Sequence, residues 1–194
     1  MISYGKQSIN QDDIDAVVDV LKSDFLTQGP KVVEFENDLA NYCEAKYAKA
    51  VNNGTAALHL AYLAIGLEQG DIVWTTPNTF VATANAALYC GATVDFVDID
   101  PKTYNLSIDY LKEKLIQAKK DNKLPKLVVP VHFAGQSCEM KAIWELSKEY
   151  GFKIVEDACH ALGGEYLSKK VGSCEYSDMA VFSFHPVKMI TTGE

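Results

Sequence analysis

Apolar residues in the first part of the chain recur with a helical period. Ile14, Val17, Val18 and Leu21 fall at i, i+3, i+4 and i+7, which predicts a helix over about residues 11–22. Asn10 is a candidate N-cap, and Asp12 and Asp13 sit where the helix dipole favours negative charge. Thr27-Gln28-Gly29-Pro30 interrupts the pattern. A second helix is predicted from about Lys31 to Cys43, with Val32, Phe35, Leu39 and Tyr42 as its apolar stripe.

From there short apolar runs alternate with helical patterns. Strands are expected at Ala48–Val51, Ile72–Thr75, Thr93–Val97, Leu127–Val131, Lys153–Glu156 and Met179–Ser183. Helices are expected at Gly54–Ile65, Phe80–Tyr89, about Ile108–Lys120 with Ser107 as cap, and about Met140–Tyr150. Strand–helix–strand repetition means crossover connections and a mostly parallel sheet. The strands are continuously apolar, as expected when helices cover both faces. Ligands in such folds gather at the carboxyl ends of the strands.

Composition narrows the picture. With 194 residues, 48% of them hydrophobic, the chain can bury a real core. The formal net charge of -8 argues against nucleic acid, which needs a basic face. All 18 basic residues are lysines, so any bound anion must be held by backbone N–H groups, hydroxyls or lysine. Cys43, Cys90, Cys138, Cys159 and Cys174 show no zinc spacing, and no metal site is expected. The opening Met1–Lys6 is too polar for a signal peptide, and no apolar run approaches a membrane span. These features predict a cytoplasmic protein with free, mostly buried thiols. The close at Ile190-Thr191-Thr192-Gly193-Glu194 has no final helix or polar tail and reads as a cut.

Three strand ends carry candidate chemistry. Asn52-Asn53-Gly54-Thr55 lies where a strand meets a helix, and free N–H groups there bind anions. On its own this segment reads as a capped turn; it has neither a dinucleotide fingerprint nor a Walker lysine. Glu156-Asp157-Ala158-Cys159-His160 places a carboxylate at the end of a buried strand, where it needs a partner. A protonated pyridine nitrogen is one such partner; a capping aspartate and a core histidine are the alternative. Ser183-Phe184-His185-Pro186-Val187-Lys188 delivers a lysine from an apolar strand. A desolvated amine of that kind can attack an aldehyde, although most lysines are simply surface groups. The combination shifts the balance: a phosphate cradle, a ring-nitrogen partner and a Schiff-base amine occur in order.

These segments resemble the DegT/DnrJ/EryC1/StrS family of sugar aminotransferases. The matching stretches are Leu26–Pro30, Asn53–Leu58, Thr79–Asn85, Glu156–Gly163, Ser183–Lys188 and Thr192–Glu194, so the likeness runs the whole chain. The resemblance implies an α/β fold. It is the three-layer, aspartate aminotransferase-like (fold type I) large domain of a pyridoxal 5'-phosphate-dependent transferase, with a mostly parallel mixed sheet. It implies that Lys188 forms the Schiff base, that Asp157 pairs with the pyridine nitrogen, and that Ser183 with the Gly54-Thr55 turn holds the phosphate. Phe80 would stack on the ring; without the family it reads as a core aromatic. His160 stands where glutamine is common and would bond the phenolic oxygen of the cofactor. Cys159–Gly164, Ser183–Lys188 and Val131–Gln136 most resemble the branch that aminates the 4-keto group of a UDP-linked 4-keto-6-deoxy-N-acetylhexosamine on the way to pseudaminic acid.

The expected reaction is a ping-pong transamination with glutamate as amino donor and a nucleotide-linked keto sugar as acceptor. Family members are homodimers with sites at the interface. Residues 1–194 would be the N-terminal segment and the large domain, without the C-terminal small domain, and would bind cofactor poorly by themselves. Two rivals are a sugar dehydratase on the same scaffold and a non-catalytic regulatory protein. The dehydratases carry histidine at the lysine position, and intact Lys188, Asp157 and Ser183 argue against decay.

Overall fold

A computed structural model describes residues 5–193. The polar opening at Met1–Tyr4 and the terminal Glu194, both singled out in the sequence, lie outside the described residues.

Six α-helices and seven strands follow one another along the described residues. The helices are α1 (Gln11–Lys22), α2 (Pro30–Cys43), α3 (Gly54–Ala64), α4 (Val81–Tyr89), α5 (Ile108–Lys120) and α6 (Met140–Tyr150). The strands are β1 (Ile72–Thr75), β2 (Thr93–Phe96), β3 (Leu127–Val128), β4 (Lys153–Asp157), β5 (Glu165–Tyr166), β6 (Lys169–Lys170) and β7 (Met179–Val181). Five strands form one sheet in the order β2-β1-β3-β4-β7, and every pairing in it is parallel. β5 and β6 form a separate antiparallel hairpin that the apolar pattern did not announce.

Successive strand residues point to opposite faces, and this sorts the core into two layers. Val73, Leu127, Val129, Val155 and Val181 pack with Leu58, Tyr62, Ala82 and Ala86 of α3 and α4. Trp74, Val128 and Ile154 pack with Leu111, Leu115, Ile143 and Leu146 of α5 and α6. Each fully buried Leu, Val or Ile contributes about 1.5–3 kcal/mol, so both faces are well secured. The three-layer arrangement expected from the alternation is the one observed.

Helix boundaries follow local capping. Asn10 forms a reciprocal capping box with Asp13, and Ser107 accepts from the Tyr110 N–H. Pro30 rather than Lys31 opens α2, as suits a first helical position. α1 keeps its predicted stripe but buries none of it: Ile14, Val17 and Leu21 are all exposed.

One expected strand is absent. Residues 48–51 are irregular. Glu36 on α2 takes the Ala50 N–H at 2.9 Å and the Lys49 ammonium at 2.6 Å. An open cleft of about 1040 Å³, floored by Ala57, Leu60 and Ala61, separates this segment from β7. A strand needs a neighbouring ladder to exist, and residues 48–51 pair with no strand among the described residues. Two other strands are shorter than expected. Pro130 cannot donate to a ladder, so β3 ends at Val128, and Val131 makes one isolated bridge to Asp157. β7 ends at Val181, which leaves Ser183 in the following loop.

The thiols are free, as expected, but only Cys43 and Cys138 are buried; the other three are half-buried. Among the described residues, no helix is long and apolar enough to cross a membrane.

Candidate active site

The carboxyl ends of β4 and β7 and the N-termini of α3 and α4 meet at one edge of the sheet. The turn before α3 comes first. Asn53 caps the helix by accepting from the Ala56 N–H at 2.8 Å, and its carbonyl takes the Ala57 N–H at 3.0 Å. The N–H groups of Gly54 and Thr55 remain as the open end of the helix, a local site for an anion. A methyl group on Gly54 would lie 3.5 Å from Ser183 Cβ and 3.7 Å from both Ser183 Oγ and Cys159 Sγ. Three segments far apart in sequence therefore touch at Gly54. The donor set, backbone N–H groups with two hydroxyls and no arginine, suits a phosphate monoester.

Asp157 ends β4 and is 4% exposed. Its backbone is locked to the segment that follows β3. Its N–H donates to the Pro130 carbonyl at 2.9 Å, and its carbonyl accepts from the His132 N–H at 3.1 Å. Oδ2 accepts from the Thr83 hydroxyl at 2.6 Å, and Oδ1 accepts from the Cys159 N–H at 3.2 Å. No lysine among the described residues pairs with this carboxylate. A buried carboxylate with hydrogen bonds but no counter-ion suits a cationic ligand atom, such as a protonated pyridine nitrogen.

Lys188 lies in the irregular segment after β7 and is half-buried, less enclosed than an amine delivered by an inner strand would be. Its N–H donates to the His185 carbonyl at 2.8 Å. Its charge acts on two residues that Asp157 also influences. Burial, then the Asp157 carboxylate, pushes the Cys159 thiol up, and Lys188 opposes this. Burial, then Lys188, lowers His160 below its ordinary value of 6.5, with Asp157 opposing. The amine and the carboxylate thus share a neighbourhood. His160 itself is exposed, and Phe80 is exposed at the N-cap of α4, so neither ring belongs to the core.

Other participants escaped the sequence reading. Thr83, in the first turn of α4, is fully buried, and its hydroxyl also receives one from Thr79 at 2.8 Å. The i, i+4 threonine spacing in an alanine-rich helix start is the signal that could have found it. On the opposite face of β4, Glu156 accepts from His132 Nε2 at 2.7 Å and from the Ser177 hydroxyl at 2.5 Å. Burial disfavours protonation of His132, while its contacts with Cys138 and Glu156 draw the pKa upward. A second ring proton would have to displace the Cys138 N–H, which donates to Nδ1 at 3.1 Å. The hydrogen bonds therefore describe the neutral Nε2–H tautomer. Gly135 completes this loop. It has φ +90°, and a Cβ there would meet the His160 carbonyl oxygen at 2.8 Å, so only glycine fits.

A three-layer parallel sheet with this crevice is the large-domain architecture of the fold-type I pyridoxal-phosphate aminotransferases. The chain belongs to the DegT/DnrJ/EryC1/StrS aminotransferase family, which it matches over residues 7–194. It is 48% identical over 194 residues to a UDP-4-amino-4,6-dideoxy-N-acetyl-beta-L-altrosamine transaminase of Campylobacter jejuni, covering all of this chain and 50% of that protein. It is 41% identical to the GDP-perosamine synthase of Caulobacter vibrioides, again over the whole chain and 50% of the relative. Among solved structures it superposes on Helicobacter pylori PseC, an aminotransferase involved in the biosynthesis of pseudoaminic acid. The TM-score is 0.90 at 38% identity, over 99% of this chain and 50% of that one. The PLP-form of a sugar aminotransferase from Streptococcus pneumoniae, Spr1654, gives a TM-score of 0.88 at 30% identity, over 100% of this chain and 51% of that one. The chain spans about half the length of the curated relatives it matches.

Proposed function

We propose that residues 1–194 are the N-terminal segment and cofactor-binding large domain of a pyridoxal-phosphate-dependent aminotransferase that acts on a nucleotide-linked keto sugar. The observation that carries this reading is the buried carboxylate of Asp157, hydrogen-bonded but without a counter-ion, next to Cys159, which together with Ser183 lies against the open helix N-terminus at Gly54.

When bound there, pyridoxal phosphate supplies an aldehyde that takes up an amino group and a ring that draws electrons from the adjacent carbon. The Gly54 and Thr55 N–H groups, with the Thr55 and Ser183 hydroxyls, would hold its phosphate. Asp157 would hold the proton on the pyridine nitrogen. Phe80 would cover one face of the ring, and His160, neutral at physiological pH, would donate to its phenolic oxygen. The Lys188 Nζ would anchor the cofactor covalently. Once released, it would carry the proton between cofactor and substrate carbon.

The finer assignment follows the Campylobacter relative. Its substrate would be the 4-keto group of a UDP-linked 4-keto-6-deoxy-N-acetylhexosamine, with glutamate as donor, in a cytoplasmic homodimer. The five free cysteines suit a reducing compartment.

The test uses the full-length protein. A panel of UDP- and TDP-linked keto sugars is incubated with glutamate, and products are read by mass. An aminated UDP-sugar is expected from wild type, together with a borohydride-fixed cofactor on the peptide containing Lys188. Lys188→Ala should lose both. Normal turnover by that variant ends the assignment.

A further inference from the structure

We infer that Thr83 is a positioning residue for the proposed cofactor: the chain of hydroxyls from Thr79 through Thr83 aims the Asp157 carboxylate and couples it to the turn that carries Phe80.

The direction of the chain follows from hydrogen-bonding capacity. A carboxylate only accepts, so Thr83 Oγ1 must donate to Asp157 Oδ2, at 2.6 Å. Having spent its single proton, that hydroxyl can only accept from Thr79 Oγ1, at 2.8 Å. The backbone of Thr83 is fixed as well. Its carbonyl takes the Tyr62 hydroxyl at 2.9 Å, and its N–H donates to the Phe80 carbonyl at 3.1 Å. Tyr62 and Thr83 are both 0% exposed, so water does not compete for these bonds.

Two consequences follow. Oδ2 is committed to the protein, while Oδ1 has only the longer contact from the Cys159 N–H at 3.2 Å. The acceptor capacity left for a ligand therefore lies mainly on Oδ1, and the rotation of the carboxylate is set by one threonine. In addition, Phe80 and Thr83 belong to the same helix start, the first turn of α4. A hydroxyl on Asp157 thus fixes the spacing between the group proposed to cover the ring and the group proposed to hold its nitrogen. The positive end of the α4 dipole at the same carboxylate acts in the same sense. Purely structural satisfaction of a buried aspartate would need the hydrogen bond but not its continuation to Thr79.

This inference rests on the aminotransferase reading, and its test separates the two. Full-length wild type, Thr83→Val, Thr83→Ser and Thr79→Val are loaded with pyridoxal phosphate labelled with nitrogen-15 in the ring. The nitrogen chemical shift reports protonation of the ring, and dialysis reports cofactor retention. Thr83→Val keeps the shape and removes the hydroxyl. It is expected to move the signal toward the unprotonated position and to weaken retention about tenfold, as loss of a charge-assisted bond implies. Thr83→Ser should restore both readouts, and Thr79→Val should shift them the same way by less. A Thr83→Val protein that folds with wild-type signal and retention overturns the inference and leaves the aminotransferase reading intact. Equal impairment of the Ser and Val variants also overturns it, because methyl packing would then be the cause. If Thr83→Val does not fold, an unshifted Thr79→Val signal overturns it. A wild type that holds no cofactor overturns both.

Discussion

Asp157 and Lys188 reach the same neighbourhood, around Cys159 and His160, on supports of different kinds. Asp157 ends an inner strand of the parallel sheet, with β3 on one side and β7 on the other. Its backbone N–H and carbonyl are both paired, both carboxylate oxygens accept hydrogen bonds, and Glu156, His132 and Ser177 brace the same strand from the opposite face. Lys188 sits in an irregular segment tied by local bonds rather than a ladder: its own N–H to the His185 carbonyl, the His185 N–H to Ser183 Oγ, the Val187 N–H to His185 Nδ1, and the Thr192 N–H to the Phe184 carbonyl at 3.1 Å. The difference suits the work proposed for each. A group that stabilises charge is most effective when it need not reorganise. An amine that must first hold a ligand and then release it to move a proton needs room and a mobile support.

The sharpest test of this contrast separates activity from stability. Lys188→Ala in the full-length protein should cut turnover by about 10⁴-fold or more, since both covalent anchoring and proton transfer go with it. Its melting temperature should stay within about 2 °C of wild type, because so little of the fold leans on that side chain. A fall of many degrees would show the amine side to be as deeply embedded as the carboxylate side.

Glu156→Ala tests the other half. It strands the buried His132 donor and the half-buried Ser177 hydroxyl, at an expected cost of about 3 kcal/mol in denaturant unfolding. A cost under about 1 kcal/mol would mean that the brace behind Asp157 is dispensable. Hydrogen exchange then grades the backbone itself. The amides of Asp157 and Ala158 donate to Pro130 and Val181 and should exchange only through near-global opening. The amides of Lys188 and Thr192 should exchange orders of magnitude faster, through local opening.

The smallest effect is the pH response of His160. Burial and Lys188 lower its folded pKa below 6.5, so between the folded and unfolded midpoints only the unfolded chain holds the extra proton. Stability should therefore fall as pH drops through that window and level off once both states are protonated. His160→Asn should flatten this part of a plot of melting temperature against pH. The change is small, because the ring is exposed and solvent screens it.

Part of this could be read before any coordinates. Helical spacing and short continuous apolar runs placed all six helices and five of the expected strands, because burial on one or two faces dictates where apolar residues fall. The segments holding Gly54, Asp157, Ser183 and Lys188 stood out as strand ends, and the structure brings Gly54, Ser183 and Cys159 of those segments together. Exposure was not legible: the stripe of α1 has the right spacing and no cover, and spacing alone does not say whether a partner surface exists. Ala48–Val51 is apolar enough for a strand, yet strandhood needs a neighbour's hydrogen bonds, and the Ala50 N–H goes to Glu36 instead.

By itself, the sequence determined the three-layer parallel architecture, because alternating apolar runs and amphipathic helices leave few other ways to bury both sheet faces. It also determined which residue types stand at the strand ends. Only the tertiary structure decided that Thr83 holds Asp157 from 74 positions away, that His132 braces Glu156, and that Gly135 must make way for a carbonyl of His160. The physical reason is that a hydrogen bond or a close contact depends on distances set by the packed core, and the linear order of residues carries no measure of them.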